Sequence, residues 1–274
     1  MRLLFASTAG AGHFGPLVPW IDGALERGHE VLVAGPPELA ELAAGRYPFH
    51  AGDRPDPALG AAIMRRVMGC THEEAGPIMI GEVFARLNSG ALLPMLQQTI
   101  EDWRPDVVLR DPTEFASAVA ATAAGIRQLR IGHGLAAGEE SMLAHAGPVL
   151  EGFHPGTTRS INESPYCTLF PERLDPSPFP ATVRYRTADP PDDGAVRPPW
   201  RQDGRVPLVY MTFGTVGPKM PQMLDVYRKA LAAAAELDAA VLMTVGTDLR
   251  IPELGAVPPN AQVEPWVPQQ QVLS

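Results

Sequence analysis

The sequence predicts an α/β protein with parallel sheets in two successive domains, the second of them incomplete. Three observations lead there. Residues 3–34 read as strand, Gly-rich turn, helix and strand. The same alternation resumes near Asp106. A Pro-rich break at 189–205 is then followed by a fresh run of strand, helix and strand. Strands that alternate with helices are the pattern of parallel sheets, because parallel neighbours need a crossover between them.

Leu3 to Ser7 is short and apolar, as a buried strand would be. Thr8 to Gly15 is a Gly-rich turn. Pro16 to Arg27 places Leu17, Trp20, Ile21, Ala24 and Leu25 on one helical face, and Gly28 supplies a C-cap. Glu30 to Ala34 is the second strand, and Pro37 to Ala44 a short helix closed by Gly45. Residues 53–100 break this rhythm. They are helical in places and carry Met64, Met68, Met79 and Met95. Regular order returns with a strand at Asp106–Leu109, a helix at Phe115–Ala124 closed by Gly125, and a strand at Gln128–Ile131. Further on, helix is expected near Ser141–Leu150 and strands near Thr168 and Val183. These segments make one domain, 1–188. The linker 189–205 holds Pro190, Pro191, Pro198 and Pro199. The second domain, 206–274, offers strands at Pro207–Phe213, Ala240–Val245 and Gln262–Glu264, a helix at Met220–Glu236, and a last helix opening near Pro268. Three strands amount to half of a doubly wound, Rossmann-like sheet.

Composition narrows the function classes. The 274 residues are 45% hydrophobic and 19% charged, ordinary for a globular protein that buries a substantial core. Lys and Arg number 22 against 31 Asp and Glu, a formal charge of −9, with no basic cluster. That argues against non-specific nucleic-acid binding, and an anionic ligand would have to be held locally by backbone N–H groups. Cys70 and Cys167 lie far apart and outside any C-x-x-C, which fits a reducing cytoplasm better than a disulfide scaffold or a zinc site. The apolar opening is too short for a signal peptide, and no stretch approaches 18 uninterrupted apolar residues. The expected location is the cytoplasm.

Residues 10–15 read Gly10-Ala11-Gly12-His13-Phe14-Gly15, a match to G-x-G-x-x-G between a strand and a helix. Alone, this is the fingerprint of a dinucleotide site. That site also wants a carboxylate at the end of the second strand, where this chain has Val33-Ala34-Gly35-Pro36. An NAD-dependent oxidoreductase therefore loses its main supporting contact. The turn instead sets one imidazole, His13, at the carboxyl edge of a parallel sheet, where ligands bind. A histidine there serves as a general base near neutral pH, or merely caps a helix or fills the core. Asp111 ends a later strand on the same edge. It would fix the His13 tautomer and stabilise its imidazolium, or act as an N-cap for the helix that follows. Glu114 competes for either role. His133 follows a strand and lines the same cleft on this reading. His29 reads as structural, and His50, His72, His145 and His154 carry no motif.

Taken together, Gly10–Pro16, Gly28-His29-Glu30-Val31, Arg104–Asp111, Met211-Thr212-Phe213-Gly214-Thr215 and Trp266-Val267-Pro268-Gln269 resemble the nucleotide-sugar-dependent glycosyltransferases of the GT-B fold. The closest likeness is to bacterial enzymes that decorate natural products, and it spans the chain.

The resemblance implies an inverting transfer of a sugar or deoxysugar, with His13 as base and Asp111 as its support. Gly12, Gly214 and Thr215 would approach the donor, Trp266 would stack on its pyrimidine, and Val267 and Gln269 belong to the same donor-binding stretch. Met64, Met79, Ile80, Phe84, His133 and Met142 would line the acceptor pocket. The bland reading of the methionines is a helical core, although methionine also suits a bulky, irregular, apolar acceptor. The donor would be a TDP- or UDP-sugar co-substrate, the acceptor an apolar polyhydroxylated molecule such as a polyketide aglycone. No D-x-D occurs, which fits a transfer without metal or resident cofactor. The family's motif continues past Gln269 to a His-x-Gly-x-Gly-Thr/Ser loop that these 274 residues do not contain. The expectations are weak transfer by this chain alone, and an open strand edge that favours pairing, for instance in a homodimer. The competing expectation is a catalytically inactive relative that binds an apolar ligand or a partner transferase.

Overall fold

The computed structural model describes residues 1–43, 45–187, 206–214, 217 and 223–273. The linker expected at 189–205 and Thr215 lie outside the described residues. Two compact units divide the chain, Met1–Thr187 and Ala188–Ser274.

In the first unit, the run Leu3-Leu4-Phe5-Ala6 can be buried on both faces, and strand β1 (Arg2–Ala6) forms there. The chain continues through α1 (Ala11–Phe14), α2 (Val18–Glu26), β2 (Glu30–Gly35), α3 (Ala40–Ala43) and β3 (Phe49–Ala51). A helical stretch follows: α4 (Pro57–Met68), α5 (His72–Ile78), a π-helical segment at Met79–Asn88, and α6 (Ser89–Trp103). Then come β4 (Val107–Arg110), α7 (Ala116–Ala124), β5 (Arg127–Ile131), α8 (Ala136–Phe153), α9 (Thr157–Glu163), β6 (Tyr166–Thr168) and β7 (Thr182–Arg184).

The strands make one parallel sheet in the order β3-β2-β1-β4-β5-β6-β7. The chain winds outward from β1 to β3, then returns past β1 and winds the other way from β4. The switch point therefore lies between β1 and β4, where open α/β sheets leave a crevice at the carboxyl ends. Ala6 is in register with Arg110, so the loops after β1 and β4 leave the sheet side by side.

Alternation on the strands builds a core on each face. Phe5, Val33, Leu109 and Ile131 pack with Phe14, Leu17 and Ile21. Leu4, Ala34 and Val108 pack with Leu92, Leu96, Ile100 and Ala120. Each such buried side chain contributes about 1.5–3 kcal/mol by leaving water. Leu25 departs from expectation: it is exposed, because Leu17, Ile21 and Ala24 already define the buried stripe of α2. β3 and α9 are absent from the sequence reading because each is too short to show a period. The π-helical segment is stabilised where Ser89 Oγ donates to the Phe84 carbonyl five residues back, at 3.0 Å.

The second unit carries β8 (Leu208–Thr212), α10 (Met223–Ala234), β9 (Ala240–Thr244), β10 (Ala261–Glu264) and α11 (Gln269–Leu273). Its three strands are parallel, in the order β10-β9-β8. Tyr227, Leu231, Met243, Val245 and Leu254 fill one face, and Leu242, Val267 and Val272 the other. Asn260 Nδ2 lies within 2.9–3.1 Å of the carbonyls of Ala234, Leu237 and Ala239, which ties the turn after α10 to β10. Among the described residues, no helix is long and apolar enough to cross a membrane.

Candidate active site

The loop after β1 keeps Ser7 and Thr8 buried, then turns at Gly10 with φ +118°, a value strained for any residue with a Cβ. That turn starts α1 and delivers His13, whose side chain is 28% exposed. The loop after β4 is held from beneath by Arg110. This buried guanidinium donates through Nη1 to the carbonyls of Asp111, Pro112 and Glu114 at 3.1–3.2 Å. Burial and the nearby Arg130 charge push its pKa down to about 10, which leaves it charged at neutral pH.

Asp111 sits at the centre and is wholly buried. Its Oδ2 accepts from Thr8 N at 2.8 Å and Thr8 Oγ1 at 3.0 Å. Its Oδ1 accepts from Thr113 N at 2.8 Å and Thr113 Oγ1 at 2.6 Å. Burial alone would raise the carboxyl pKa, yet His13, Thr113 and Thr8 together hold it well below the ordinary range. Asp111 is therefore a fixed anion. Glu114 lies just before the N-cap Phe115, and its carboxylate accepts from Ser117 N in the first turn of α7 at 3.1 Å.

His13 Nδ1 lies 3.4 Å from Asp111 Oδ1, long for an N–H···O bond. The tighter path runs through Thr113. Its hydroxyl donates to Asp111 and stands 3.1 Å from His13 Nδ1, so it can accept the imidazole proton. This chain fixes the proton on Nδ1 and leaves Nε2 free to take another. Burial works against the His13 cation, but the hydrogen bond and charge of Asp111 outweigh it and raise the pKa.

Two further expected residues are close. The His133 ring meets His13 edge-on, with centroids 4.7 Å apart, and its Nε2 is 3.7 Å from Asp111 Oδ1. Burial lowers its pKa. Phe84, on the π-helical segment, has its ring centroid 6.3 Å from that of His13. Ile80 packs beside Phe84 against Phe115, Leu143 and Leu150. Met64 is exposed on α4, while Met79 and Met142 are half-buried on the π-helical segment and α8. Gly12 is exposed on α1. In the second unit, Gly214 follows β8 with φ +72°. Trp266 is exposed, so it is no core tryptophan, whereas the side chain of its neighbour Val267 is buried. Gln269 is exposed at the start of α11.

Sequence reasoning missed Thr8, Arg110 and Thr113. Only Thr113 leaves a trace, because an Asp followed two residues later by Thr is the spacing of a side chain that closes its own turn.

Residues 24–150 match the family model described as the N-terminal domain of erythromycin biosynthesis protein CIII-like proteins. The L-demethylnoviosyl transferase of Streptomyces niveus is 30% identical over 263 residues, covering 94% of this chain and 68% of that protein. The solved structure of the spinosyn rhamnosyltransferase SpnG, complexed with spinosyn aglycone, superposes with TM-score 0.74 at 24% identity, over 100% of this chain and 73% of its own. The glycosyltransferase VinC, in complex with dTDP, gives TM-score 0.66 at 22% identity, over 100% and 74%. At those identities the two structures speak for the fold, and the sequence relative speaks for the family. The Streptomyces niveus transferase, followed over nearly the whole of this chain, makes the protein a member of the bacterial natural-product glycosyltransferases of the GT-B fold.

Proposed function

We propose that the protein catalyses inverting transfer of a sugar or deoxysugar from a TDP- or UDP-sugar to a hydroxyl of an apolar natural-product acceptor. The observation that carries this reading is the chain His13–Thr113–Asp111 at the switch point of the sheet. His13 Nε2 takes the proton of the acceptor hydroxyl. The acceptor oxygen then attacks the anomeric carbon from the face opposite the diphosphate, whose bond to that carbon breaks. The nucleoside diphosphate leaves and the configuration inverts. Asp111, ionised throughout, stabilises the imidazolium formed in the transition state.

Phe84 and Ile80 offer the acceptor an apolar wall near the base. Met64, Met79 and Met142 extend that pocket, and His133 contributes its polar edge. Trp266 stacks on the pyrimidine, with the backbone of Val267 and the side chain of Gln269 beside it. Gly214, whose turn after β8 leaves its backbone without a Cβ in the way, is assigned to the diphosphate and ribose. The step as written uses no metal ion and no resident cofactor. VinC in complex with dTDP, and SpnG with a spinosyn aglycone, support these substrate classes.

The test is a transfer assay of the intact enzyme with TDP- and UDP-sugars and polyketide aglycones, with the product's anomeric configuration read by NMR. The expected product has a configuration opposite to the donor. Retention, or no transfer from any pyrimidine nucleotide sugar, would contradict the proposal.

A further inference from the structure

We propose that His13, Asp111 and His133 form an inhibitory site for a borderline-soft divalent cation such as zinc, which silences His13 by occupying its Nδ1. The inhibitory part rests on the reading of His13 as base.

The segments that follow three adjacent strands present one ligand each: His13 from α1 after β1, Asp111 directly after β4, and His133 two residues past β5. The candidate ligand atoms of the three side chains lie within 4.8 Å of one another. Asp111 Oδ1 is 3.4 Å from His13 Nδ1 and 3.7 Å from His133 Nε2. Ligands about 2.0–2.1 Å from a tetrahedral zinc ion stand roughly 3.3–3.5 Å apart, so small side-chain movements close the site. Two imidazoles and one carboxylate are a donor set that zinc accepts in protein sites with an open fourth position. Both histidines remain partly exposed, at 28% and 20%, which leaves an entry path.

His133 gives the independent observation. Its Nε2 is buried, faces the anion, and has no hydrogen-bond partner among the described residues. A buried polar nitrogen without a partner is costly, and a cation beside Asp111 satisfies it. The cost falls on Thr113, whose hydroxyl already bonds Asp111 Oδ1 and must turn away.

The consequence follows from the two nitrogens of one ring. A cation on Nδ1 takes the lone pair there and leaves the single imidazole proton on Nε2. The nitrogen meant to accept the acceptor's proton is then blocked.

Cobalt(II) is the probe, added to the 274-residue chain and followed by visible absorption, with zinc as displacer. The expected result is one cobalt ion per chain, released by zinc. His133→Ala weakens binding by more than about tenfold, the scale of losing a metal-site contact. Thr113→Val, which removes the hydroxyl from Asp111 Oδ1 and keeps the backbone N–H bond to it, binds at least as tightly as the wild type. That outcome requires a folded site, so a folding defect cannot imitate it. Absence of cobalt binding, or binding indifferent to His133→Ala, would overturn the site and leave the base assignment standing. His133-dependent binding with zinc-insensitive sugar transfer would overturn the inhibitory claim through the base assignment, while the metal site stood.

Discussion

Two opposing effects meet on His13. Burial removes water from the imidazole and disfavours its cation, while Asp111, itself an obligatory anion, favours it. The balance raises the pKa above the ordinary 6.5. A general base works in its neutral form, so the proposed role of His13 predicts that kcat/KM rises with pH through that raised value. Asp111→Asn leaves burial acting alone. Its acid limb should move to lower pH, and kcat should fall by about 10²–10⁴-fold. A pH–rate profile of wild type and variant from roughly pH 5 to 9 checks both, and coincident limbs would contradict the assignment. His13 and Asp111 are legible in the sequence because each follows an apolar strand and carries chemistry of its own. Thr113, Thr8 and Arg110 are not. They act through the backbone turn they close, and a turn shows only once the two loops lie side by side.

At the scale of elements, the site depends on how closely β2 approaches the loop after β1. A Cβ added at Gly35 would lie 2.5 Å from the Ser7 carbonyl oxygen and 2.6 Å from Leu39 Cδ2. The first contact is backbone and cannot step aside without moving the loop that carries Thr8. Gly35→Ala should therefore cost about 1–3 kcal/mol of stability, measured by urea denaturation. An unchanged midpoint would show that the loop gives way freely. Most strands and longer helices were readable from periodicity, within a few residues at their ends. The exceptions have physical causes. β3 pairs only three residues, Phe49–Ala51, with β2, so its alternation never repeats. The π-helical turn at Met79–Asn88 has no period of its own in the sequence, and Phe84 reaches the neighbourhood of His13 from it.

At the scale of the molecule, the first unit buries several charges beside its site: Arg110, Arg130, Asp111, Glu114 and Glu139. Their titration couples pH to stability in opposite senses. Asp111 has its pKa depressed by folding, so its contribution is present above the ordinary aspartate value and is lost as pH falls. Glu114 has its pKa raised by burial from 4.5 to about 6. Between those values the unfolded chain gives up this proton before the folded one, and stability declines as pH rises, by on the order of 2 kcal/mol. Glu114→Gln should remove that decline. Urea denaturation of both proteins at about pH 4.5 and 6.5 measures it, and an equal pH dependence in the two would contradict it. The Pro-rich composition break at 189–205 lies next to the boundary between the two compact units. Periodicity reaches neither buried charges nor the polar contacts between loops 100 residues apart, because each belongs to strands that meet only in the folded sheet.

Whether His13 accepts the acceptor's proton is tested most directly by single-turnover sugar transfer with His13→Ala, with acceptor affinity measured separately. The expected result is a rate lower by about 10²–10⁴-fold with acceptor binding nearly unchanged. Transfer within a few-fold of the wild type would contradict it.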